Sequence, residues 1–204
     1  MIDVSSSGCN NDAGVWAKSK FSQGLENGTI NLPDPSALSG SSTQCPYMFV
    51  GDEAFPLRPF LMRPYSGRSI TNHSQRVFNY RLSRAGRVIE NAFGILTQRW
   101  RILFKPIIAD ATKATKLVRT VCVLHNFLKK TDDKIYCPPG YSDQVSQDGN
   151  VTPGFWRTAQ APNVGLNLRN RSSTTSASEM REKLTIYFCN EGKVSWQDNH
   201  VNRR

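Results

Sequence analysis

Apolar positions change their spacing several times along the chain, and each change marks an expected element. Tyr47-Met48-Phe49-Val50 is an unbroken apolar run, short and rich in aromatic and β-branched residues, and predicts a buried strand. It ends on Gly51-Asp52, which puts a carboxylate at the strand's C-terminal edge, where open α/β sheets keep their sites. Leu82, Ala85, Ile89, Ala92, Phe93 and Leu96 then recur at three- and four-residue steps and predict one long amphipathic helix, with Glu90 beside the stripe. Ala114, Leu117, Val118, Val121, Leu124, His125 and Leu128 repeat that spacing and predict a second helix with Asp110 as its N-cap. A last helix is expected from Ser176, with Glu179 in capping-box position, Leu184, Tyr187 and Phe188 inward, and Gly192 as its stop.

Elsewhere the periodicity lapses. Met1-Ile2-Asp3-Val4 resembles the end of a strand, and Asp12 can cap a packing helix that carries Val15, Trp16, Ser19 and Leu25 and stops near Asn27-Gly28. Residues 31–46 are Pro-, Ser- and Gly-rich and form a loop. Pro56, Pro59 and Pro64 forbid a regular helix after Asp52, and Tyr65 to Gln75 is expected as an exposed loop with a solvated His73. The division is a domain over 1–130, a polar and partly disordered segment over 131–175, and a helix and tail over 176–204, the Val194–Gln197 stretch docking back on the domain.

Charge sharpens the middle of this pattern. Ten Lys and Arg and one acid, Glu90, lie between Arg58 and Lys105, so this segment holds +9 of the net +10. A pI near 9.6 concentrated this way favours a polyanion partner. Arg81, Arg84, Arg87, Arg99 and Arg101, interleaved with Tyr80 and Trp100, are candidates for phosphate and base contacts; the alternative is that several cover a wet helix face with their stems on the aromatics. Glu90 likewise has two readings, a surface pair with Arg87 at i,i+3 or a metal ligand in a phosphate groove. His125, on an apolar helical stripe, reads as a hydrogen-bonded core residue. Five scattered cysteines without a Cys-x-x-Cys suggest neither a disulfide framework nor structural zinc. No apolar run approaches the ~18 residues of a membrane span, and residues 1–30 lack a signal core, so a soluble intracellular protein is expected.

The wording of several consecutive blocks carries more. Val50-Gly51-Asp52-Glu53-Ala54-Phe55-Pro56-Leu57, Leu61-Met62-Arg63-Pro64-Tyr65, Phe78-Asn79-Tyr80-Arg81-Leu82-Ser83-Arg84, Arg87 to Leu96, Arg99-Trp100-Arg101-Ile102-Leu103 and Leu124-His125-Asn126-Phe127-Leu128 together resemble the PIF/Harbinger transposase-derived nucleases of the DDE superfamily. The resemblance implies an α/β, RNase H-like (DDE transposase/integrase-type) catalytic domain with an irregular C-terminal tail, acting on DNA. It also implies three metal-binding acids for Mg²⁺ or Mn²⁺, of which Asp52 matches the second and Glu90 the third. The first lies on a strand upstream of the segment matching Met1, so the chain is expected to be N-terminally incomplete and to lack its first strands. Asp3 aligns with a neighbouring strand instead, and Glu53 points to the opposite face if the strand continues.

Two functions follow as alternatives. One is a divalent-metal-dependent DNA endonuclease derived from a Harbinger-type transposase. The other is a non-catalytic remnant that holds DNA or a partner. The resemblance further implies a separate Myb-like DNA-binding protein as partner and a nuclear location, with the cytoplasm as the alternative.

Overall fold

In the computed structural model the described residues are Val4, 12–158 and 173–201. Asp3, Cys9 and the strand expected over Met1–Val4, apart from Val4 itself, lie outside them, as do residues 159–172 of the polar segment. The elements in chain order are α1 (Asp12–Lys18), α2 (Lys20–Glu26), β1 (Ser36–Ala37), β2 (Gln44–Cys45), β3 (Phe49–Val50), β4 (Leu61–Met62), α3 (His73–Arg99), α4 (Ala111–Thr131), α5 (Asp133–Tyr136), β5 (Gln144–Val145), β6 (Val151–Thr152), α6 (Thr175–Cys189) and α7 (Gln197–Val201). The strands form three two-stranded sheets among the described residues: β1–β2 antiparallel, β3–β4 parallel and β5–β6 antiparallel. This is a mixed α/β chain dominated by helix.

The chain divides into two compact units, Gly8–Gly86 with Gly165–Arg204, and Met1–Ser7 with Arg87–Val164. The first is built around a cluster of Cys45, Leu57, Met62, Tyr65, Phe78, Leu82, Ala177 and Leu184. Tyr65 pins the loop after β4 to two helices. Its N–H donates to Asn79 Oδ1 at 2.8 Å and its C=O accepts from Asn79 Nδ2 at 2.8 Å, while its hydroxyl donates to Glu182 Oε2 at 2.8 Å on α6. The Arg181 guanidinium lies 3.9 Å over its ring. Every buried polar group of this tyrosine is thereby met, which is what permits its burial.

Local signals account for the helix ends. The expected first helix breaks at Ser19, whose hydroxyl accepts from Ser22 N–H at 3.0 Å and so caps α2 rather than riding through one helix. α3 begins within the stretch expected as loop: Asn72 Oδ1 accepts from Gln75 N–H, and Gln75 Oε1 accepts in return from Thr71 N–H, each at 2.9 Å. That reciprocal Asn-x-x-Gln pair is a capping-box variant that overrides the loop-like composition around it. His73 is accordingly the first residue of α3, and instead of being merely solvated it sits 3.0 Å from Asp198 on α7. Asp110 caps α4 as expected, accepting from Lys113 N–H at 2.9 Å. α6 starts ahead of the expected Ser176, because Thr174 takes the cap position and accepts from Ala177 N–H.

Two expectations of burial fail. Tyr47, Phe49 and Val50 are exposed in place of forming a buried strand, β3 pairing only with β4 among the described residues. Phe49 still packs one face against Trp16 and Phe21. The α3 stripe is buried at Leu82 and Leu96 but exposed at Ile89 and Phe93, with Val88 beside them. Periodicity identifies a face; only a packing neighbour covers it.

The second unit has a smaller interior of Ile95, Leu96, Val121 and Tyr136. The Tyr136 hydroxyl lies 2.8 Å from His125 Nδ1 and accepts from Trp100 Nε1 at 3.0 Å. His125 is therefore a hydrogen-bonded, half-buried residue, as expected, and burial together with the positive charge of Lys129 lowers its pKa. Residues 133–158 of the polar segment carry α5, the β5–β6 hairpin and a 3-10 turn over Phe155–Thr158.

Candidate functional site

Asp52 follows β3 in the first unit. Its Oδ1 accepts from Ala54 N–H at 2.8 Å, an Asx turn that folds the carboxylate over the start of the loop. Arg63 fastens the same loop, Nη1 donating to the carbonyls of Glu53 and Phe55 at 3.3 and 3.2 Å. Asp52 is exposed, and this turn engages only one of its two carboxylate oxygens.

Glu90 lies on α3 in the second unit, with its side chain 59% exposed. Its partner is not Arg87 but Arg157, whose Nη2 donates to Glu90 Oε2 at 3.1 Å. The i,i+3 pair with Arg87 expected as one alternative does not form. Arg87 faces Asp143 instead, at 3.9 Å. The reason is a set of contacts that sequence spacing does not reveal. Asp143, its side chain 1% exposed, accepts from Arg157 Nε at 2.9 Å, from Arg157 Nη2 at 2.6 Å and from Gly154 N–H at 2.9 Å. Asn91 Oδ1 accepts from Asp143 N–H at 3.0 Å and from Trp156 Nε1 at 2.7 Å. Gly94 is needed where that indole approaches α3, because a Cβ there would lie 2.0 Å from Trp156 Cε3. The hairpin is thus tied to α3 by Asn91, Arg87 and Glu90.

Hydrogen bonds from Arg157 hold the Asp143 carboxyl below the usual carboxylate range, helped by the Gly154 N–H and the charges of Arg157 and Arg87, and opposed by burial. A carboxylate with a depressed folded pKa contributes stability above its unfolded pKa of ~3.9 and loses it as pH falls through the lower folded value. The contribution is therefore complete at neutral pH and disappears only in strong acid. An NMR titration of the Gly154 amide proton, which donates to this carboxylate, should show a midpoint below ~3.9; a midpoint at or above it overturns the assignment. Asp143→Asn should cost about 2–3 kcal/mol in urea unfolding, the scale of charge-assisted hydrogen bonds left unmade.

The five candidate DNA-contacting arginines are all anchored within the chain. Arg81 Nη1 donates to Gly192 C=O and Gln197 Oε1, each at 3.3 Å. Arg84 Nη1 donates to the Tyr80 hydroxyl, and its guanidinium lies 4.4 Å over Trp196. Arg87, as above, faces Asp143. Arg99 Nε donates to Tyr136 C=O at 2.7 Å, with Tyr141 4.4 Å beneath. Arg101 covers Phe104 at 4.7 Å and donates weakly to Gln98. A guanidinium carries five N–H donors, so Arg81, Arg84, Arg99 and Arg101 retain donors beyond these bonds, whereas Arg87 Nη1 is buried.

A hard divalent cation needs oxygen ligands. Asp52 and Glu90 are of the right kind, but among the described residues no three His, Cys, Asp or Glu side chains gather as a metal-holding group. In number the described set falls short of a three-carboxylate site.

Comparison with known proteins decides the lineage. A family model described as "DDE superfamily endonuclease" matches residues 1–126, which takes in Asp52, Glu90 and all five arginines. The chain belongs to the DDE superfamily endonucleases. It is also 32% identical over 125 residues to "Protein ALP1-like" of Arabidopsis thaliana, a match covering 61% of this chain and 30% of that protein. The chain thus spans under a third of the length of this relative. No solved structure matches. Among the described residues no helix is long and apolar enough to cross a membrane. Family membership extends through α4 as far as Asn126, leaving α5, the hairpin, α6 and α7 beyond the match. Arg157 and Asp143, the partners that engage Glu90 and Arg87, therefore lie outside the family-matched segment.

Proposed function

We propose that this chain is part of a divalent-metal-dependent DNA endonuclease of Harbinger-transposase descent, hydrolysing phosphodiester bonds on an RNase H-like fold. The observation that carries the reading is the family match over residues 1–126, which contains Asp52 and Glu90 within their motif blocks. Asp52 and Glu90 would hold Mg²⁺ or Mn²⁺ through carboxylate oxygens, and the ion would activate water and stabilise the leaving oxygen. The Asx turn at Asp52 leaves that carboxylate an oxygen to offer, and Arg84 and Arg99, their guanidinium groups held over the Trp196 and Tyr141 rings, offer phosphate contacts at low conformational cost. A Myb-like DNA-binding partner and a nuclear location belong to the same proposal.

The second reading is a remnant that holds DNA or a partner without cutting. The Arg157–Glu90 pair favours it, since a cation already sits on the third acid. Incubating the whole protein of which this chain is proposed to be part with supercoiled plasmid and Mg²⁺ or Mn²⁺ separates the two. The endonuclease reading expects nicked circles that EDTA abolishes. Binding that weakens steeply with salt, without nicking in either metal, supports the remnant.

A further inference from the structure

α4 carries five cations, Lys113, Lys116, Arg119, Lys129 and Lys130, and no acid along its 21 residues. Two of the five are answered within the chain, Lys113 by Asp110 at 3.4 Å and Lys129 by Asp133. Lys116, Arg119 and Lys130 are exposed, and none of their side chains makes an ion pair or hydrogen bond among the described residues. In this they differ from Arg81, Arg84, Arg87, Arg99 and Arg101, each of which has a partner inside the chain.

The three unpaired cations share one side of the helix. At 3.6 residues per turn, Lys116, Arg119 and Lys130, with Val123 and Asn126 between them, fall within a sector about 80° wide. That sector is centred opposite Val121, the buried residue of α4. From Lys116 to Lys130 it runs about 21 Å along the axis, at 1.5 Å per residue. An apolar layer does not cover such a face, because burying unpaired ammonium and guanidinium groups is strongly unfavourable.

The helix itself gains little from these charges. Lys113, Lys116 and Arg119 follow one another at i,i+3, where like charges destabilise a helix. They also lie in its N-terminal half, where the macrodipole gives a cation no support. Of the three, only Lys130, in the last turn, is placed to answer the dipole. A row of cations that weakens its own helix and meets no acid among the described residues is complementary to an external polyanion. A phosphate backbone presents its charges along a line, as this face does, whereas a small anion would engage one end only.

We propose that the outward face of α4 is a DNA-contact surface on which Lys116, Arg119 and Lys130 engage backbone phosphates of duplex DNA. The choice of DNA rests on the endonuclease reading. Phosphate contacts position a duplex and carry no base information, so this face contributes affinity without sequence preference.

The test measures the affinity of the whole protein for a short labelled duplex by fluorescence anisotropy over a series of salt concentrations. Each phosphate neutralised steepens the fall of log affinity with log salt by about 0.9. Lys116→Gln, Arg119→Gln and Lys130→Gln together should reduce that slope by about two to three. They should also weaken binding at least about tenfold at physiological salt, and equally on a duplex of shuffled sequence. The charge-keeping exchanges Lys116→Arg, Arg119→Lys and Lys130→Arg should leave the slope unchanged, which separates charge from a structural role. Lys18→Gln, Lys20→Gln and Lys183→Gln, at exposed positions of α1, α2 and α6, remove equal charge and should also leave it unchanged. An unchanged slope in the α4 variant, or an equal reduction by the second set, overturns the proposal and leaves the endonuclease reading standing. A reduced slope in a protein that binds DNA but never nicks it keeps the proposal and overturns that reading. Absence of duplex binding by the unaltered protein overturns both. Binding to phosphatidylserine vesicles that the α4 variant loses, with its duplex binding kept, would make a membrane surface the occupant and overturn the proposal equally.

Discussion

On the proposed endonuclease reading, Asp52→Asn and Glu90→Gln in the whole protein are each expected to cut metal-supported nicking of DNA by at least about a hundredfold, close to 2.7 kcal/mol of barrier at about 1.36 kcal/mol per tenfold. Both replacements keep the side-chain shape and an oxygen donor but remove the negative charge that a hard cation selects. Neither should harm the fold. The side-chain amide oxygen that Asp52→Asn introduces can still accept from the Ala54 N–H, and the Arg157–Glu90 pair is exposed, so its loss is on the scale of ~0–1 kcal/mol. The informative comparison measures nicking and DNA affinity on the same preparations. Nicking lost with affinity and salt dependence retained assigns the two carboxylates to chemistry. Nicking that survives either change removes that carboxylate from the site.

Phe78→Ala is expected to destabilise the first unit by about 3–5 kcal/mol, the usual range for truncating a buried aromatic. Phe78 is fully buried, and it meets Tyr65 edge-to-face at 5.4 Å between centroids and Phe188 at 6.1 Å. It therefore holds the loop after β4 and α6 against α3 together, and removing the ring leaves a cavity touching both. Urea unfolding followed by circular dichroism should show a lower midpoint. Since marginal domains have only about 5–15 kcal/mol in hand, loss of soluble protein on expression is the extreme form of the same result. A change under about 1 kcal/mol, far below the range for a buried ring, would mean the site collapses around the missing side chain and that Phe78 is not a centre of this core.

Much of the secondary structure was legible along the chain. α3 and α4 follow from apolar positions at helical spacing, and the Asp110 cap and the Pro56–Pro64 interruption follow from backbone chemistry that needs no tertiary partner. Motif wording was legible too, because the DDE superfamily endonuclease match takes in nearly all the residues on which the resemblance rests. The start of α3 is written in Asn72-x-x-Gln75, but the polar residues around that pair give the stretch the composition of a loop.

What a side chain touches was not legible. Glu90 has arginines at several helical spacings, yet its partner is Arg157, sixty-seven residues away. Asp143, in a stretch whose composition suggests a solvated loop, is the acid that is buried and satisfied. The arginines show the same division: their density marked a basic segment, while their separate bonds to Gly192, Tyr80, Asp143 and Tyr136 came from packing. By itself the sequence determined α3 and α4, the Asp110 cap, the basic character and the family, all of which rest on local geometry or on residue identity in order. Only the tertiary structure decided which faces are covered and which charges are paired, because burial and ion pairing depend on distances between residues remote along the chain.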